Sequence, residues 1–151
     1  IPVARGLGML GRPLSLRVVA AGLDHGDPAA VAAETEPSNA ALRPYAPVHL
    51  RALRTEDGIV LSWIRRTRLG GDSWELQEVP LAEDEERYDV DILDGAEVRR
   101  VLHATASQVL YPSAQEIADF GTPRDTIRVR VMQISAAIGR GYPAEAVLAV
   151  G

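Results

Sequence analysis

Apolar and polar residues alternate along much of residues 48–150 with the period of two that a half-buried strand requires. The clearest run is Gly58-Ile59-Val60-Leu61-Ser62-Trp63, between the turn signal Glu56-Asp57-Gly58 and an arginine-rich exit. Ile59, Leu61 and Trp63 share one face, which predicts a strand that carries a tryptophan into a core. Val48 to Arg54 alternates as the strand before it. Tyr88 to Leu93 follows, with Tyr88, Val90 and Ile92 inward, and Asp94-Gly95 turns the chain into a strand over Val98 to Leu102. Ser107 to Tyr111 reads as a short strand broken by Pro112. Ser113 to Phe120 reads as one or two helical turns, capped by Ser113 and stopped at Gly121.

Thr126 to Ile134 is the longest alternating run, with Ile127, Val129 and Val131 inward. Arg128 and Arg130 face out, as do Asp89 and Asp91 on the Tyr88 strand. If those two strands are antiparallel neighbours, the charges form a cross-strand ladder worth about 0.2–1 kcal/mol per pair. Gly139-Arg140-Gly141 turns the chain into a last strand from Ala144 to Val150. The expected structural core is therefore Leu61, Trp63, Tyr88, Val129 and Val131.

Two segments depart from this pattern. Residues 1–43 hold one good strand, Leu14 to Ala20, and a turn at Asp24 to Pro28. Ala29 to Glu36 reads either as a helix capped by Asp27 or as a returning strand, the hairpin being preferred. This stretch has too few large apolar residues to fold alone, so it is expected to be the remainder of a preceding β-rich domain in a longer protein. Pro44 and Pro47 stiffen the join to a domain at 44–151. Residues 65–86 form an insertion longer than ordinary connections, and such loops are usually functional or disordered. It holds Asp72, Trp74 and the acidic run Glu83 to Glu86, and its aromatic and prolines argue for order. Trp74, beside Arg66, Arg68 and Asp72, either caps the sandwich end under a stacked arginine or anchors an interface, where Trp and Arg are enriched.

Composition narrows the function classes. A formal charge of −5 and a pI near 5.2 argue against nucleic-acid binding, which needs a basic surface. No apolar run is long enough to span a membrane. All 16 basic residues are arginine, which fits a GC-rich genome. Cysteine is absent, which excludes disulfides and thiolate chemistry and favours assembly in a reducing cytoplasm.

No cofactor, metal or catalytic set is expected. Gly6-Leu7-Gly8-Met9-Leu10-Gly11 fits a dinucleotide fingerprint by letter, but Arg12-Pro13 and a strand follow where a helix is needed, so a turn is the better reading. Asp89-x-Asp91-x-x-Asp94-Gly95 lacks the spacing of a calcium loop. His25, His49 and His103 have no ligand spacing.

The strand order, with Leu61-x-Trp63 in the second strand and Tyr88-x-Val90 in the third, resembles a fibronectin type III domain over about residues 47–150. The implied fold class is all-β, an antiparallel sandwich preceded by the last strands of another β domain. A narrower set of segments is similar to the C-terminal part of the tail-tip hub, or host-specificity, protein of gene transfer agents and related long-tailed phages. These are Pro47 to Ala52, Leu61 to Arg68, Gly71 to Trp74, Glu78 to Leu81, Glu86 to Tyr88, Ala118 to Gly121 and Val131-x-Gln133. The resemblance implies a non-enzymatic structural part of a virion baseplate hub, assembled in the bacterial cytoplasm as an oligomer, with a trimer as one candidate state. Its partners would be other tail-tip proteins and a host glycan or receptor. The alternatives are a carbohydrate- or receptor-binding module and a spacer attached to a hydrolase.

Overall fold

The computed structural model describes residues 12–24, 26–36, 39–68 and 80–151. The chain divides into two compact units, residues 1–42 and 43–151. Arg43 thus belongs with the second unit. The Gly6–Gly11 motif lies outside the described residues.

In the first unit, β1 (Leu14–Val18) and β2 (Val31–Thr35) form an antiparallel hairpin in which Leu14 faces Thr35 and Val18 faces Val31. Of the two readings open for residues 29–36, the strand forms. Asp27 accepts the Ala29 N–H at 2.8 Å in a local side-chain turn and caps no helix. A short 3-10 turn, Asn39–Leu42, ends the unit.

The second unit is a sandwich of two antiparallel sheets. One holds β3 (Val48–Arg54), β4 (Gly58–Ile64) and β7 (Gln108–Pro112) in the order β3-β4-β7. The other runs β10-β8-β5-β6, from β5 (Tyr88–Asp94), β6 (Glu97–Ala104), β8 (Thr126–Ser135) and β10 (Ala144–Ala149). A two-residue β9 (Gly139–Arg140) pairs with the end of β8. A single parallel bridge between Ala52 and Val150 joins the last strand to the first of the other sheet.

The alternation read from the sequence sets which side chains meet. Ile59, Leu61, Trp63 and Tyr111 from one sheet pack against Tyr88, Val90, Ile92, Ile127, Val129 and Val131 from the other. The Trp63 and Tyr88 rings meet edge to face at 5.0 Å, so the expected tryptophan-centred core forms. A one-residue bulge interrupts the β3–β4 pairing, with His49 in the left-handed region at φ 54°, and a second shifts the β5–β6 register.

Two expectations need correction. Ser113 is the first residue of α1 (Ser113–Phe120), not its cap; extended Pro112 holds that place and offers no side-chain acceptor. Gly121 does end the helix, at φ 78°, with its N–H on the Ile117 carbonyl. Asp91 lies on the outer face of its sheet as expected, but it is buried. Arg130, directly opposite, and Arg140 from β9 both lie against its carboxylate.

Candidate interaction surface

The insertion leaves β4 at Ile64 and returns to β5 at Tyr88, and arginines of its first limb hold the second. Arg65 donates to the Pro80 carbonyl at 2.9 Å. Arg68 donates through Nε to Glu83 at 3.0 Å and through Nη2 to the Ala82 carbonyl at 3.1 Å, where Ala82 adopts φ 59°. The Glu83 side chain is almost wholly covered. Arg66 instead stacks on Tyr45, its guanidinium carbon 5.1 Å from the ring centre. Of the four residues proposed for contact, Arg68 is thus engaged in bracing the loop and Arg66 is exposed on a ring. Asp72 and Trp74 lie outside the described residues.

Beneath this base, Glu86 accepts hydrogen bonds from the Tyr88 and Ser107 hydroxyls, both at 2.9 Å. Burial pushes the Tyr88 phenol up to about 12; the Ser107 hydroxyl opposes the rise and the neighbouring Glu86 carboxylate adds to it. Beside them is a shallow cleft of about 320 Å³, lined in part by Arg87, Asp89, His103, Thr105 and Ile134. His103 Nδ1 lies 2.8 Å from one Asp89 oxygen, and Arg140 donates to the other at 2.7 Å.

At the opposite end, α1 carries two carboxylates three residues apart, on one helical face. Glu116 receives both arms of Arg54 from β3, at 2.5 and 3.2 Å, and the Arg124 N–H at 2.8 Å. Asp119 receives Arg100 from β6 at 2.6 and 2.8 Å and the Tyr111 hydroxyl at 2.7 Å. One short helix therefore grips a strand of each sheet. Burial opposes ionisation of Glu116, but the bonds from Arg54 and the Arg124 N–H outweigh it and hold its carboxyl below the usual range. Arg100, with help from Tyr111, does the same for Asp119 against a burial penalty. Burial and the Asp119 carboxylate raise the Tyr111 phenol.

Sequence reasoning missed this clamp, because its pairs join residues 62 and 19 positions apart. Two acids at helical spacing in a segment too short for a core of its own were the available signal. The expected ladder forms in part. Arg130 contacts Asp91 at 3.6 Å, while Arg128 pairs with Glu145 on β10 at 2.7 Å.

No family model and no curated protein matches the sequence. Among solved structures, the chain is similar to domains d3-d4 of the rat CD45 extracellular region, at 10% identity and a TM-score of 0.50, over 99% of this chain and 68% of that one. It is also similar to the Clostridium perfringens spore cortex lytic enzyme SleM, at 14% identity and a TM-score of 0.45, over 71% of this chain. It spans 28% of that enzyme's length, and this weaker likeness carries no argument about activity. With the strand order above, the CD45 likeness establishes an all-β, antiparallel fibronectin type III-like sandwich. Such a fold hosts many functions and names none. Among the described residues no helix is long and apolar enough to cross a membrane.

Proposed function

We propose that the chain is a non-enzymatic structural module of the tail-tip hub of a phage-like particle, with the insertion end of its sandwich turned to neighbouring subunits. One observation carries the reading. The described segments that resemble the hub family include residues that brace the insertion and the α1 end. They include the Arg65 and Arg68 braces, Glu86 and Tyr88 beneath them, and Asp119 of the helix clamp. A resemblance confined to core valines would follow from any sandwich, whereas these residues make polar contacts that the sandwich core does not require.

The test is capture from a lysate of the producing organism with the tagged 151-residue chain, wild type beside Trp74→Ala, read by mass spectrometry. Recovery of tail-tip or baseplate proteins is expected, with loss in the variant placing the contact on the insertion. Recovery of envelope material without tail proteins would overturn the reading. The cleft at Asp89, His103 and Thr105 favours a second reading, a glycan-binding module. A glycan array on the same chain decides it, with His103→Ala expected to abolish any true signal.

A further inference from the structure

Most arginines of the second unit are spent on carboxylates. Arg54, Arg68, Arg87, Arg99, Arg100, Arg128, Arg130 and Arg140 each pair with an acid. Arg43 and Arg66 do not: among the described residues each lies on a tyrosine ring. Arg43 lies 5.6 Å above Tyr142, and Arg66 lies 5.1 Å above Tyr45.

The backbone brings these four side chains to one place. Pro44 is buried, and its carbonyl accepts the Tyr142 N–H at 2.9 Å. Gly141 makes the approach feasible, since a Cβ there would sit 2.8 Å from the Pro44 oxygen. Arg43 and Tyr45 flank Pro44, and alternate residues of an extended segment face the same way about 7 Å apart. Tyr45 and Tyr142 are 41% and 37% exposed, and the two stacked pairs come from three chain segments, two of which meet at the Pro44–Tyr142 hydrogen bond.

We propose that these residues, Arg43, Tyr45, Arg66 and Tyr142, form a docking surface for an extended acidic segment of a partner protein. A guanidinium laid on a ring keeps its N–H edges free for a carboxylate and has already lost the freedom that a bidentate pair must restrict. Two such seats, one contributed by each residue that flanks Pro44, suit a segment that offers more than one Asp or Glu side chain. The surface charge is local, because the chain as a whole carries −5. A neutral sugar would need the ring faces that the guanidiniums cover. The choice of a protein partner rests on the assembly reading above; the anion-binding chemistry does not.

The probe is a fluorescein-labelled hexaglutamate peptide, titrated with the full chain at low ionic strength and read by anisotropy. Saturable binding is expected, weakened about tenfold by Arg43→Ala with Arg66→Ala, as two partly exposed charge pairs would give. Tyr45→Ala, which removes a seat and keeps both charges, should weaken it about threefold, or roughly half that free energy. Arg51→Ala, exposed on β3, should leave binding within about twofold, with thermal unfolding unchanged in all exposed-arginine variants. Absence of saturable binding, equal loss in Arg51→Ala, or tighter binding of polygalacturonate at the same residues would each overturn the proposal. If hexaglutamate fails while tail proteins are still captured, the assembly reading stands and this surface falls.

Discussion

At the α1 end of the sandwich, two buried or nearly buried carboxylates each hold an arginine of a different sheet. At the insertion end the arginines hold backbone carbonyls, one covered glutamate and two tyrosine rings. The same residue type serves both ends, and the chain has no lysine to substitute for it. What differs is what remains unbound. A guanidinium that grips a carboxylate with both arms has spent its geometry on the fold, whereas one lying on a ring still presents donors to solvent. The first arrangement closes a sandwich, and the second offers a surface.

The largest effect that would break the α1 end comes from Gly58→Ala. Gly58 sits at φ 148°, and an added Cβ would fall 2.2 Å from the Tyr111 carbonyl, so about 3 kcal/mol or more should be lost in urea unfolding. Gly141→Ala, the corresponding close approach at the other end, should cost less, because its nearest atoms lie at 2.8 and 2.9 Å and no left-handed backbone is involved.

Next comes Arg54→Met, which strands Glu116, 1% exposed, without its counter-ion. Discounting for an arginine that is itself one-third exposed, about 2–3 kcal/mol is expected. Glu116→Gln should cost less in the same urea series, since the freed Arg54 can turn to water. Equal costs would mean that the pair is not asymmetric in burial.

The third effect is a pH dependence whose acid limb belongs to the α1 end. Glu116 and Asp119 titrate below their ordinary values when folded, so their stabilisation is present above the unfolded carboxyl pKa of about 4 and is lost as pH falls through the folded values. Tyr88 is raised to about 12, so its contribution is full below about 10 and disappears as pH rises towards 12. Thermal midpoints should therefore fall on both sides. The acid limb should flatten in Arg54→Met with Arg100→Met, and the alkaline limb, to which the raised Tyr111 phenol also contributes, should flatten in part in Tyr88→Phe. An acid limb unchanged in the double variant would remove α1 as its cause.

The smallest effect is at the insertion base. Arg68→Ala with Glu83→Ala removes the pair and the bond to the Ala82 carbonyl without stranding a carboxylate, and should cost about 1 kcal/mol, measured by the urea midpoint.

Period-two alternation was enough to locate the strands of the sandwich and the inward faces of β4, β5 and β8, because burial on one face of a sheet imposes that period. It was not enough for Asp91. A polar residue at an outward position is read as wet, yet Arg140 arrives from a two-residue strand with no pattern of its own and covers it. Leu93 and Met132, also on that outer face, are buried too. The helix was legible and its cap was not, since Ser113 is a good cap by type while Pro112 already stood where the extended residue is needed. The Glu116 and Asp119 partners were illegible because nothing local ties position 54 to 116 or 100 to 119. Of the four contact candidates, Arg66 and Arg68 looked alike in sequence, and their different partners, a ring and a carboxylate, come from tertiary placement.

The measurement that tests the division of labour most directly is hydrogen–deuterium exchange on the full chain, alone and bound to whichever protein the capture experiment recovers. Partner-dependent protection is predicted at residues 43–46, 65–68 and 140–143, with residues 113–125 unchanged. Protection confined to α1 and the loop after it would contradict the account and make the clamp, rather than the insertion end, the contact surface.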